Sequence, residues 1–195
     1  MSLRIETVTG EDLLPKIPAL SRLRARVFAE WPYLYQADPE EEARYIRLYM
    51  EGEGAAIVLA WDGGEIVGAA TCQPMLATHG PVRSAFEAAG RKPADYCYFG
   101  ESVLLREYRG QGAGVAFFRE REAHARSLEL SCATFCGVVR NPNDPRRPAD
   151  YAPLDGFWRK RGYTHHPELS CIFDWRELGD DRETPHTLSF WTKAL

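Results

Sequence analysis

The sequence predicts an α/β (α+β) domain, a mixed sheet with helices on its faces. Three observations carry this. Strand-like and helix-like segments alternate along all 195 residues without a repeat or a low-complexity linker. Ala55 to Ala60 and Glu65 to Cys72 are apolar runs joined by Trp61-Asp62-Gly63-Gly64, and Asp-Gly between such runs is the strongest short hairpin signal. The remaining strands are separated by helical stretches, and hairpins combined with crossover helices build a mixed sheet.

The elements follow in order. Leu3 to Val8 alternates apolar and polar residues, the period of a half-buried strand. A helical stretch opens at Gly10-Glu11-Asp12, with Leu13, Ile17, Leu20, Leu23 and Val27 at three- and four-residue steps. Glu40 to Met50 is a second helix whose acidic start suits the N-terminal dipole. After the hairpin, Pro74 to Pro93 is an excursion with a short helix around Ser84 to Ala89. Tyr96 to Leu105 reads as one strand, Gln111 to Leu128 as a long helix and Cys132 to Val139 as a strand. The polar loop Asn141 to Pro148 leads to a short helix ending at Gly162, and strands at Cys171 to Trp175 and Thr187 to Lys193 close the chain. The length suits a single domain over residues 1–195.

Composition excludes several classes. With 45% apolar and 27% charged residues the chain is neither disordered nor collagen-like. A net charge of −4 argues against a nucleic-acid partner. No apolar run reaches the roughly 18 residues of a membrane span, and no basic-then-apolar leader opens the chain. The five cysteines (Cys72, Cys97, Cys132, Cys136, Cys171) contain no CxxC pair. They read as buried free thiols in a reducing, cytoplasmic setting, and no metal ligand set is expected.

The informative stretch is Glu101-Ser-Val-Leu-Leu-Arg-Glu-Tyr-Arg-Gly-Gln-Gly-Ala-Gly-Val115. An apolar strand runs into a turn holding Gly110, Gly112 and Gly114, and a helix starts at once. Glycines are costly in a mere connector, because glycine loses the most backbone entropy and weakens a helix start. They leave bare N–H groups at the positive end of a helix dipole, which is an anion site suited to pyrophosphate. Arg109 adds a charge at its rim. The P-loop pattern fails for want of Lys-Ser/Thr, and the GxGxxG spacing fails because these glycines recur every second residue.

Arg109-x-x-Gly112-x-Gly114 between strand and helix resembles motif A of the GNAT N-acetyltransferase superfamily. Gly156-Phe-Trp-Arg-Lys-Arg-Gly-Tyr163 resembles the end of its motif B helix. The strings YFGESVLLREYRGQG and EWPYLY are similar to a GNAT subgroup sometimes fused to nitrilase-type hydrolases. The resemblance spans essentially the whole chain. It implies a mostly antiparallel central sheet with helices on both faces and a splayed strand pair at the cofactor site. It also implies acetyl-CoA or coenzyme A as cofactor, a small-molecule or peptide amine as acceptor, no membrane partner, and a homodimer by family habit. Backbone amides of Gly110, Gln111, Gly112, Ala113, Gly114 and Val115 would hold the pyrophosphate, with Arg109 beside them. The strand Ser102-Val103-Leu104 would hydrogen-bond the pantetheine arm.

The reaction needs a base for the amine. Glu101 is the only carboxylate in the strand before the turn, and Tyr98 aligns with the position where relatives carry a base. Strict alternation puts Glu101 with Val103 and Leu105, and Tyr98 with Gly100, Ser102 and Leu104, so Glu101 faces the acceptor only if a bulge intervenes. The family's usual acid, a tyrosine, is replaced by Trp158, whose indole donates hydrogen bonds but not protons. Trp158 then packs, with a place beside the CoA sulfur, leaving Tyr98, Tyr151 and Tyr163 as substitute phenols. This departure keeps open a coenzyme A-binding module without turnover, and the Pro74 to Pro93 excursion keeps open a transferase for a longer acyl group.

Trp31, Tyr33 and Tyr35 form an aromatic loop after the first helix that could clamp a substrate amine. Asp38, Glu40, Glu41 and Glu42 could attract an amine, although an acidic helix start reads first as a solvated face. His165-His166 reads as a surface or loop pair, His79 and His124 as lone histidines, and Cys136 as a packed thiol. Arg119, Arg121 and Lys160 are candidates for the 3′-phosphate of coenzyme A.

Overall fold

The computed structural model describes residues 3–78 and 80–195, so His79 lies outside the described residues. The strands are β1 (Arg4–Val8), β2 (Ala56–Asp62), β3 (Glu65–Pro74), β4 (Tyr96–Tyr98), β5 (Ser102–Leu104), β6 (Cys132–Val138), β7 (Thr164–Trp175) and β8 (Thr184–Ala194). The helices are α1 (Ile17–Phe28), α2 (Pro39–Glu51), α3 (Pro81–Ala88), α4 (Ala113–Ser127) and α5 (Asp155–Lys160). These strands form one sheet in the order β1-β2-β3-β4-β6-β8-β7, and β5 lies along β3 as β4 does. Among the described residues only β4 and β6 run parallel. The mixed, mostly antiparallel sheet is therefore as expected.

Local chemistry sets the helix ends. Residues Gly10–Lys16 form a 3₁₀ stretch with Pro15 inside it, and the α-helix starts only at Ile17, after that proline. Pro18 sits in the first turn of α1, where a missing N–H is tolerated. Asp38 caps α2, accepting hydrogen bonds from the N–H groups of Glu40 (2.9 Å) and Glu41 (3.1 Å). α3 begins at Pro81, three residues before the expected start.

α1 and α2 bury Leu20, Leu23, Ile46 and Tyr49 against Ile57, Leu59, Ala69 and Val103 on one face of the sheet. The opposite face receives α4 through Phe117 and Phe118. β7 starts at Thr164, so His165 and His166 stand within a strand and not in a loop. His165 stacks on Trp191 at 4.5 Å, and His166 lies 2.9 Å from Thr192 Oγ1. Among the described residues no helix is long and apolar enough to cross a membrane.

Candidate functional site

The expected strand Tyr96 to Leu105 is two strands, and the break builds the site. β4 pairs with β3 through Gln73 opposite Tyr98, and β5 pairs with it through Ala70 opposite Ser102. Between these rungs Phe99, Gly100 and Glu101 stand opposite only Thr71 and Cys72, which is a β-bulge. The extra residue moves Tyr98 onto the same face as Glu101 and Val103, correcting strict alternation. Gly100 is required here, because a Cβ would lie 2.2 Å from Tyr49 Oη and 2.7 Å from Thr71 Oγ1.

β4 and β6 part at the same point. Their last bond runs from Phe99 N–H to Thr134 O (2.8 Å). Beyond it β6 pairs with β8 and β5 with β3. The Glu101 carbonyl and the Leu105 N–H face β3, bonding Thr71 N and Val67 O at 3.0 Å each. By alternation the backbone groups of Ser102 and Leu104 face the gap. Leu104 O there accepts from Arg109 Nε at 3.1 Å. Val103 presents its side chain to the core. Among the described residues the Gly100 N–H has no partner.

The glycine turn lies beside the gap. Gly110 and Gly112 have φ of 77° and 90°, and Gly112 is the N-cap of α4 without a side-chain cap. The N–H groups of Gly110, Gln111, Gly112, Ala113, Gly114 and Val115 all lack a protein acceptor among the described residues. No atom lies within 4 Å of where a Cβ would stand at Gly110 or Gly112. These are open donors at a helix N-terminus, and they fit a pyrophosphate. Gly114 serves packing as well, because its Cβ would approach Phe157 of α5 at 3.3 Å. Arg109 is not a free rim charge. Besides Leu104 O it bonds Glu30 at 2.8 Å, which ties the turn to the end of α1.

Glu101 faces α1 and α2. Its carboxylate pairs with Arg24, which also donates to Glu42. Arg24 is 8% exposed and Glu42 2%, so the expected solvated position of Glu42 is corrected to a buried ion pair. The guanidinium lies 4.0 Å from the Tyr45 ring centroid. A cavity of about 460 Å³ opens beside this group, lined by Arg24, Tyr35, Glu42, Tyr45 and Leu48 among others. The lining also holds Glu41 and Arg44, so two arginines and two glutamates face it, and Glu101 reaches it through its ion pair with Arg24.

Of the aromatic loop, only Tyr35 lines this cavity. Burial and the Glu42 carboxylate push its phenol up. Tyr33 packs between Phe28 (4.8 Å) and Trp175 (6.0 Å). Trp31 packs against Tyr151 at 6.1 Å, with Arg140 over its ring at 5.5 Å. The loop is braced to the far end of the sheet by Arg140, which donates to Pro32 O (2.6 Å) and Tyr33 O (2.9 Å).

Tyr98 is buried with its hydroxyl 3.4 Å from Cys136 Sγ, and burial holds its phenol well above the ordinary range. Trp158 packs on Phe135 and Trp191, both at 5.1 Å, and Gly137 leaves room for its ring. The Tyr163 hydroxyl is committed to Glu122 at 3.1 Å. Arg121 is buried beneath the sheet and cannot serve a 3′-phosphate, while Arg119 is exposed and pairs with Glu120. Sequence reasoning missed Arg24 and the unpartnered Gly100 N–H, and it placed Glu42 on a solvated face. Arg24 did carry a signal, a charge four residues after Leu20 on the apolar face of α1.

A family model for the acetyltransferase (GNAT) family matches residues 21–149. No curated protein matches the chain. Several solved structures share its fold at low identity. A ribosomal-protein-alanine N-acetyltransferase from Brucella melitensis is 19% identical with a TM-score of 0.61, the match covering 99% of this chain and 100% of that one. An acetyltransferase from Streptococcus agalactiae is 12% identical with a TM-score of 0.62, covering 100% and 99%. PaiA N-acetyltransferase from Thermoplasma acidophilum, in complex with coenzyme A, is 13% identical with a TM-score of 0.56, covering 100% of both chains.

Proposed function

This chain belongs to the GNAT acetyltransferase family, and on that premise we propose that it moves the acetyl group of acetyl-CoA to a primary amine of a small molecule or peptide. The reading takes direct attack by the amine in a ternary complex. The observation that supports it most is the run of six open N–H groups at the start of α4, beside strands that part at a bulge. Acetyl-CoA supplies the activated acetyl thioester when bound. The α4 turn holds its pyrophosphate, and the gap-facing backbone of Ser102 and Leu104 takes the pantetheine arm as an added strand would. The Gly100 N–H offers a hydrogen bond to an oxygen gaining negative charge, a role for which preorganised backbone donors are suited.

Glu101 accepts the proton of the acceptor amine. The nearby cavity admits the amine, and Tyr35 and Tyr45 form its aromatic walls. Arg24 orients the Glu101 carboxylate, and Glu42 offsets its positive charge. Trp158 packs the wall of the gap. No side-chain acid is assigned to the leaving thiolate, which takes its proton from water.

Thiol release from acetyl-CoA, measured across polyamines, aminoglycosides, amino acids and peptides, tests this function. Release with at least one amine class, and an N-acetylated product by mass spectrometry, is expected. Silence across all four, with coenzyme A still bound, would replace the transferase with a coenzyme A-binding module.

A further inference from the structure

Arg121 of α4 is 1% exposed, and among the described residues it has no carboxylate partner. Its Nε donates to Phe117 O (3.2 Å), and its Nη1 donates to Thr71 O (3.4 Å) and Glu101 O (3.1 Å). The rings of Phe99 and Phe118 lie 4.3 and 5.0 Å from the guanidinium. A buried charge without a counterion is costly, and replacing it by an apolar side chain of similar volume is commonly neutral or stabilising. The neighbours Phe117, Phe118 and Ala125 are buried and apolar, so packing alone would be met by leucine or methionine.

What sets Arg121 apart is its place under the bulge. In a regular ladder the Glu101 N–H would bond the Thr71 carbonyl. Here that N–H bonds Thr71 Oγ1 at 3.1 Å, which leaves the carbonyl to Arg121. The same guanidinium nitrogen also bonds Glu101 O, which takes Thr71 N as well. One buried arginine thus joins the two strands where the ladder is broken.

We propose that Arg121 is a positioning residue for the acetyl-transfer site, pinning the bulge from beneath so that the Glu101 carboxylate is held toward Arg24 and the amine cavity. The inference rests on reading Glu101 as the proton acceptor. The charged and titratable groups on the side of the Glu101 carboxylate are Arg24 of α1 and Glu42, Tyr45 and Tyr49 of α2, while Arg121 of α4 touches the Glu101 backbone carbonyl from the other face. On the α4 side Cys72, Cys97 and Tyr163 also bear on Arg121. Removing Arg121 frees the Glu101 backbone, and a carboxylate that drifts from Arg24 loses the pairing that favours its charged form, which moves its titration to higher pH.

The test uses Arg121→Met, Arg121→Lys and Thr71→Val in the full chain. The Glu101 carboxyl is titrated by ¹³C NMR, assigned by difference from Glu101→Gln, alongside kcat, its pH profile and coenzyme A affinity by calorimetry. Arg121→Met is expected to shift the Glu101 titration upward and lower kcat about 100-fold, the usual effect of a misplaced catalytic group, with coenzyme A affinity at the wild-type level. Arg121→Lys keeps a donor for the Thr71 and Glu101 carbonyls and is expected to restore the titration and most of kcat. Thr71→Val preserves shape, frees the Glu101 N–H and is expected to lower kcat in the same sense. A wild-type titration and kcat in folded Arg121→Met would overturn the proposal. If Arg121→Met does not fold, a wild-type kcat in Thr71→Val overturns it. The titration needs no turnover, so a failure of Arg121 is distinguished from a failure of the Glu101 reading, which full activity in Glu101→Gln would reveal.

Discussion

Glu101 and Glu42 divide one guanidinium between them, and Arg24 lies over the Tyr45 ring while doing so. Removing the Glu101 charge leaves Arg24 its second partner, so the ion pair with Glu42 persists and the fold is kept. Glu101→Gln is therefore expected to lower kcat by about 10² to 10⁴-fold, the usual share of general base catalysis, and to abolish the acidic limb of the pH–rate profile. Coenzyme A affinity stays unchanged. A profile that keeps its acidic limb would remove Glu101 from the proton path. Tyr98 is no substitute, because burial keeps its phenol neutral across the pH range of the assay. At this scale the turn glycines and Glu101 could be found from the sequence, because glycine spacing and a lone carboxylate in an apolar strand are local signals. Glu42 could not, because its burial depends on Arg24 arriving from another helix. Arg109 carried a motif signal, yet its pairing with Glu30 comes from the distant end of α1.

The β4–β5 bulge is the element on which the proposed site depends. It turns Glu101 toward α1 and α2, brings Tyr98 to the same face and leaves Gly100 N–H unpartnered where β4 leaves β6. Gly100→Ala would drive a methyl group onto Tyr49 Oη and the Thr71 side chain, both buried. Overpacking of this kind costs about 1–3 kcal/mol. A fall of that size in urea-unfolding free energy is expected, with loss of turnover. A variant with wild-type stability and activity would show that the bulge tolerates a side chain and does not set the geometry. Alternation and hairpin chemistry made most elements readable in advance. The bulge was stated only as a condition for Glu101, because one extra residue leaves the apolar pattern of Tyr96 to Leu105 almost unchanged. The early start of β7 was hidden by Pro167 and by the polar run through Glu168, around a register shift against β8 between His166 and Ser170.

Across the whole molecule the ends of the site are held by distant parts of the chain. Arg140, after β6, braces the loop of Trp31 and Tyr33, and also pairs at 2.5 Å with Glu177, between β7 and β8. Trp175 Nε1 adds a bond to Tyr33 O at 3.1 Å. The aromatic loop is thus fixed by the far half of the sheet, and of its three rings only Tyr35 reaches the cavity. The architecture followed from element order and the motif, whereas this bracing joins residues more than a hundred positions apart and leaves no local pattern.

The central claim is that the α4 turn holds coenzyme A with its backbone. Calorimetric titration of acetyl-CoA into the wild type and into Gly112→Val measures it directly. Gly112 has φ of 90° in open space, so valine there strains the turn without filling the core. A micromolar dissociation constant in the wild type, within the ordinary range for enzyme ligands, and a loss of at least about 100-fold in the variant, consistent with removal of several charge-assisted hydrogen bonds, are expected. No heat from the wild type at about 100 μM, well inside that ordinary range, or equal affinity in the two proteins, would contradict it.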